Sequence, residues 1–220
     1  MFRQLFAAPA LLAHLARGRP VSYRWGYDRG RPVDRYYIER FLEEHRSDVT
    51  GRVLEVKSDD YARRFGEGVT DVDVLDIDSS NPKATIVADL ATADTVPDES
   101  FDCVVLTQTL QYIFDVGAAL RHVRRILRNG GVLLATVPSV TRMTTEIADL
   151  RDYWRFTEDS CLELVRREFG DRAPLVRAYG NALTCTAFLA GLAVEELPQS
   201  RLDMHDPSFP LVVAVRAVKA

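Results

Sequence analysis

The chain has 220 residues, enough for one domain with an added helical segment. Hydrophobic residues make up 47% and charged residues 27%, the balance of a globular protein that buries a core. A formal net charge of -4 excludes a general attraction to nucleic acid or to an anionic membrane surface.

The N-terminus, "MFRQLFAAPALLAHLARG", reads as an amphipathic helix over 2–16. Pro9 and His14 interrupt its apolar stretch, and Arg17 and Arg19 stand where a secretory cleavage site needs small residues. It also falls short of the ~20 apolar residues of a membrane span. Such a helix is expected to pack on the domain or on a partner, which makes a homodimer through the N-terminal helices one expectation. Residues 18–32 are rich in Gly, Pro and Arg and predict an irregular segment. In "DRYYIERFLEEH", Tyr37, Ile38, Phe41 and Leu42 recur at helical spacing, with Asp34 as the expected cap.

The pattern then changes, which puts a boundary between an N-terminal helical extension, 1–48, and an α/β domain, 49–220. Strands are predicted at 52–56, 72–77, 84–87, 101–107, 132–137, 175–179 and 211–218. A helix over 116–127 is expected to stop at Asn129-Gly130-Gly131, and another over 157–169 to start on Thr157 as cap. The cluster Arg121, Arg124, Arg125 and Arg128 lies at helical spacing and reads as a solvated helix face. Cys103, Cys161 and Cys185 are far apart and form no CxxC pair, so no metal site is expected. Reduced thiols fit a cytoplasmic protein.

Apolar strands alternating with helices predict a mostly parallel sheet covered on both faces. In such α/β sheets ligands bind beyond the carboxyl ends of the strands, where strand order reverses. Three of those ends carry acids: Glu55, Asp78 and Asp89. A carboxylate after the second strand can accept from both hydroxyls of a ribose, and one after the third can accept from an adenine amino group with Leu90 packed on the ring.

These residues, with "RVLEV", "VLDID", "ADL", "FDCVVLTQTLQYI" and above all "ILRNGGVLLATVP", resemble the class I S-adenosylmethionine-dependent methyltransferases of small-molecule type. The segment "DYWRFT" is similar to one near the acceptor pocket of such enzymes. The resemblance implies a Rossmann-like seven-stranded sheet and S-adenosylmethionine as cofactor. By it, Glu55 would help hold the amino end of the methionyl group, Asp78 the ribose, Asp89 and Leu90 the adenine, and Gln108 would sit near the reacting methyl.

The first loop departs from the family. Lys57, Asp59 and Tyr61 stand at or near places that glycines usually occupy. Glycine serves there because it accepts positive φ and has no Cβ to block a ligand. A Lys57 turned to solvent would leave the pocket usable; one turned inward would oppose a cationic sulfonium. For the acceptor, Tyr112, Tyr153 and Trp154 offer flat contact and Arg155 a site for carboxylate or phosphate. His205, beside Asp206, is the candidate general base. The expectation is methyl transfer to a small molecule such as a sugar or secondary metabolite. The alternatives are non-methylating chemistry on the same fold, such as a cyclisation, rearrangement or lyase step, and a non-catalytic partner protein.

Overall fold

The computed structural model describes residues 13–14, 16–145, 150–170 and 174–220. Its strands are β1 (Gly51–Val56), β2 (Val69–Asp76), β3 (Ile86–Val87), β4 (Phe101–Thr107), β5 (Leu127–Pro138), β6 (Leu175–Tyr179) and β7 (Val212–Val218). They form one sheet in the order β3-β2-β1-β4-β5-β7-β6. The pairs β1–β2, β1–β4, β2–β3 and β4–β5 are parallel, while β7 runs antiparallel to β5 and β6. The chain builds outward from β1 to β3, then returns to the other side of β1 as β4. Strand order therefore reverses between β1 and β4. The start of β7 lies at the same edge as the end of β5, because Val212 pairs with Pro138.

The helices are α1 (Val33–Glu44), α2 (Asp60–Phe65), α3 (Val116–Ile126), α4 (Glu158–Phe169), α5 (Ala182–Ala190) and α6 (Gln199–Leu202). α3 and α4 share one apolar layer with Leu54, Val104, Leu106 and Leu133 of the sheet. α1, α2 and α5 share the other with Val53, Val105 and Leu134. Burial on both faces explains why β4 and the second half of β5 are nearly continuous apolar runs. α3 buries Val116, Ala119, Leu120, Val123 and Ile126, a helical stripe, and turns Arg121 and Arg124 to solvent. All three cysteines are free and buried. No helix among the described residues is long and apolar enough to cross a membrane.

Thr157 caps α4 as expected, in a reciprocal capping box with Ser160. Other boundaries differ for identifiable reasons. α3 ends before the Asn129-Gly130-Gly131 turn, because buried Leu127 already pairs with Phe101 and the strand begins there, with an irregularity in its register. Pro32 occupies the cap position of α1, so Asp34 falls inside the first turn and is buried rather than capping. The predicted helix over 2–16 lies almost entirely outside the described residues. The sequence boundary at 48/49 is no gap in space: Val33, Tyr37, Ile38, Phe41 and Leu42 of α1 are part of the second core layer.

Candidate active site

The end of β1 leads into the loop where glycines are missing. Glu55 is 2% exposed and both its oxygens are taken up locally. Tyr61 N donates to Oε1 at 3.2 Å and Ala62 N donates to Oε2 at 2.7 Å. These are first-turn amides of α2, which no residue of the helix itself can satisfy. Asp59, at the cap position, makes no capping bond and is held instead by Arg63 and Lys83. Glu55 thus caps α2 from the strand below, and fixes the loop through it. Burial pushes its carboxyl up to about 7, against the pull of the two amides.

Lys57 has φ +74°, the left-handed conformation for which glycine is the default. Its N–H donates to Leu75 O at 2.9 Å, and its carbonyl accepts from Asn81 Nδ2 at 2.9 Å. Its side chain is exposed and makes no hydrogen bond or ion pair among the described residues. Lys57 thus places a side chain on a backbone conformation that glycine usually holds.

β2 ends on Asp76, a residue the sequence reading passed over because it put the strand end at 77. Asp76 Oδ1 accepts from Asp78 N at 3.0 Å, and its Oδ2 accepts from Asn81 Nδ2 at 2.7 Å. Asp78 is exposed; hydrogen bonds from Ser80, with a smaller pull from Lys57, hold its carboxyl below the usual range. Asp89 is also exposed, and accepts from Ala91 N at 2.9 Å to cap the short turn Leu90–Thr92. Leu90 itself is buried in the core, so its side chain does not offer a surface to a ring. The exposed apolar side chains here are Ile77 and Val87.

At the end of β4, Gln108 also holds a left-handed backbone, φ +48°. Its N–H donates to Thr136 O at 2.7 Å and its carbonyl accepts from Gln111 Nε2 at 2.8 Å. Gln108 Nε2, Gln111 Oε1 and Thr136 Oγ1 are buried without a hydrogen-bond partner. Buried polar atoms are nearly always paired. Three linked residues at adjacent strand ends thus carry unpaired polar atoms.

The aromatic segment is brought to this edge by Gln111, whose carbonyl accepts from Tyr153 N at 2.8 Å and Trp154 N at 3.3 Å. Trp154 Nε1 donates to Ile113 O at 3.0 Å. Phe114, 69% exposed, lies 5.3 Å from the Tyr153 ring and 5.8 Å from that of Trp154. Tyr112 OH meets Thr144 Oγ1 at 2.9 Å. Trp25, from the irregular N-terminal segment, donates to Thr141 Oγ1 at 3.2 Å and carries the Arg142 guanidinium 3.6 Å over its ring. Sequence gave no hint of Gln111, Phe114 or Trp25, whose places depend on tertiary contacts.

Besides Leu90, two expected site residues are placed otherwise. Arg155 donates to Asp152 at 2.6 and 3.1 Å, to Trp154 O and to Arg142 O. It braces the loop and is not a free anion receptor. His205 is exposed beside the end of β6, where Asp206 N donates to Gly180 O. β5 and β7 lie between it and β4, and Asp206 Oδ1 is turned to Ser208 N at 2.9 Å. The structure brings Glu55, Lys57, Asp78, Asp89 and Gln108 to one edge, with Tyr112, Tyr153 and Trp154 alongside, and leaves His205 apart.

Residues 40–135 match a protein family described as a methyltransferase domain. That stretch spans β1 to β5, including both sides of the strand-order reversal.

Over that stretch the chain is similar to a methyltransferase domain.

Solved methyltransferases share the fold. One is an S-adenosylmethionine-dependent methyltransferase from Mesorhizobium loti, 20% identical with a TM-score of 0.53, over 81% of this chain and 95% of that one. Another is Haemonchus contortus phosphoethanolamine N-methyltransferase 2 in complex with S-adenosyl-L-methionine, 16% identical with a TM-score of 0.59, over 84% of this chain and 52% of that one. The [4+2]-cyclase SpnF is 15% identical with a TM-score of 0.56, over 100% of this chain and 94% of that one. No curated protein matches the chain.

Proposed function

We propose that this protein is an S-adenosylmethionine-dependent methyltransferase acting on a small molecule. The observation that carries the reading is the left-handed turn at Lys57, kept without glycine beside the strand-end carboxylates. A loop under no demand from a ligand would gain by relaxing that strain. The cofactor, when bound, supplies an electrophilic methyl on a sulfonium sulfur. Asp78 accepts from the ribose hydroxyls and Asp89 from the adenine amino group, while Ile77 and Val87 offer apolar contact to the base. Glu55 acts through α2, keeping the loop in shape. Gln108 and Gln111 carry neutral polar atoms that orient an acceptor hydroxyl or amine for in-line attack. Tyr112, Tyr153, Trp154 and Phe114 form a flat aromatic wall suited to the ring of a sugar or secondary metabolite. The free thiols fit a reducing compartment such as the cytoplasm.

Calorimetry with S-adenosylmethionine and S-adenosylhomocysteine tests this. Binding with micromolar affinity is expected, and Asp78→Ala is expected to weaken it about 10- to 100-fold, the worth of a hydrogen bond to a charged group. No heat at high micromolar ligand would overturn the reading.

A second reading, non-methylating chemistry on the same fold, is favoured by the exposed Lys57 cation at the cofactor loop and by the likeness to a cyclase. Lys57→Gly separates the two. If Lys57 only fills a glycine's place, the variant binds cofactor as well or better and gains up to about 1 kcal/mol from relief of left-handed strain. Loss of activity with cofactor affinity intact would favour the second reading.

A further inference from the structure

α5 is apolar on both sides, and the described residues cover one of them. Thr184, Cys185, Ala187, Phe188 and Ala190 are buried against the domain. On the opposite side Ala182, Leu183, Thr186 and Leu189 are exposed, the two leucines by 43% and 45%. These four recur at helical spacing and make one stripe along the helix. Thr186 commits its hydroxyl to Ala182 O at 2.9 Å. Exposed Phe209, whose carbonyl accepts from Cys185 Sγ at 3.4 Å, stands at the margin of the stripe. No charged residue occurs from Ala178 to Val194. A helix on the surface of a globular protein ordinarily carries charge on its outer face, and one that is apolar all round is ordinarily covered.

The N-terminal part of the same chain is led to this helix. Val21 N and Ser22 N donate to Ala190 O at 2.7 and 3.2 Å, and Ser22 lies so close that Gly191 has no room for a Cβ. Upstream, Arg19 N donates to His14 O at 3.1 Å across Gly18, whose φ is +65°. A bond of that span over a left-handed glycine is a helix stop. The helix that holds Ala13, His14 and Ala16 therefore ends just before Gly18. From Arg17 to Val21 the chain reaches at most about 14 Å, and neighbouring helices pack about 8–10 Å apart. The tether thus brings the end of one helix beside the end of the other.

The segment that arrives there has an apolar face to offer. Phe2, Leu5, Phe6 and Leu12 recur at helical spacing. As the helix that the sequence predicts over 2–16, it would run about 22 Å, against about 14 Å for the nine residues of α5. So short a tether also favours contact within the chain over contact with a second copy, because it keeps the effective concentration high.

We propose that the segment over 2–16 packs its apolar face on Ala182, Leu183 and Leu189 of α5 in the same chain. Docked there, it anchors the stretch from Val21 to Trp25 and so steadies Trp25 on Thr141 and Arg142.

Hydrogen–deuterium exchange of the full chain, read by mass spectrometry on peptides that cover 2–16, tests this. An undocked helix of this length is marginal in water, and its amides exchange fast. In the wild type those amides are expected to be protected. Leu183→Asp combined with Leu189→Asp is expected to speed their exchange about tenfold or more, with no change in β4 and β5 and none in the mass of the protein in solution. Leu5→Asp combined with Phe6→Asp changes the segment and not the domain. It is expected to have the same effect, and stands in should the first pair unsettle α5. Unprotected amides in the wild type, or protection that both pairs leave intact, would overturn the proposal. A dimer's mass that becomes a monomer's in the Leu183→Asp, Leu189→Asp protein would assign the stripe to a second copy and overturn it too.

Discussion

Phe41→Ala is expected to lower the unfolding free energy by about 3–5 kcal/mol, the range for truncating a buried aromatic. Phe41 is 1% exposed and lies in the layer that holds Val53, Val105 and Leu134 of three central strands. Its ring also meets His45 edge-on at 4.9 Å. The α1 residues around it, Tyr37, Ile38 and Leu42, are as deeply buried, so the hole cannot close by small shifts. An exposed change on the same helix, Glu43→Ala, is expected to stay within about 0.5 kcal/mol. Urea unfolding of the two variants measures the contrast. If Phe41→Ala costs under about 1 kcal/mol, α1 is an appendage and residues 1–48 are a separate extension.

The second large effect is a pH dependence carried by Glu55. Its folded-state pKa, about 7, lies above the ordinary 4.5 because burial disfavours the charged form. The sign follows from proton counting. Below pH 4.5 the carboxyl is protonated in both states and contributes no pH dependence. As pH rises, the unfolded chain releases the proton first, while the folded chain keeps it until about pH 7. The unfolded state gains over that window, so stability falls by roughly 3 kcal/mol and then levels off. Glu55→Gln removes the titration and keeps the size. Thermal or urea unfolding of both proteins from pH 4 to 8 should show the wild type losing ground to the variant between about pH 4.5 and 7. A constant difference across that range would mean that the two α2 amides fully offset the burial, and that Glu55 titrates as an ordinary carboxylate.

Much of this fold is legible in the chain. β4 and β6 match their predicted limits, because apolar runs between turn residues have little freedom in where they begin. α4 was readable from Thr157 and its stripe. α2 was not: six residues form a helix there because Glu55, from a strand, satisfies its first amides. α5 also escaped, since "ALTCTAFLA" is apolar on most sides and lacks the period that marks a helix face. Its start on Asn181, which caps the helix together with Thr184, was the available signal.

The candidate site divides in the same way. Residues at strand ends could be placed by counting along strands, which is why Glu55, Asp78, Asp89 and Gln108 lie at the edge where they were expected. Asp76 was missed by a strand end set one residue late. Arg155 looked free because its partner, Asp152, is close in sequence but reaches it only through the bend of an irregular loop. His205 looked usable because it adjoins Asp206. The antiparallel β7 does bring that loop to the ligand edge, but at the far end of the sheet. Asp34 read as a helix cap, and only the placement of Pro32 turned it into a buried acid.

Lys57 and Gln108 hold their left-handed torsions at the ends of the two strands that flank the reversal. Glycine in those places would roam more widely in the unfolded chain, and folding would have to quiet it. Side chains narrow that roaming before any guest arrives, so the cradle is cast when the protein folds. Searches keyed to glycine spacing will pass over chains of this kind. Searches keyed to backbone torsion will find them.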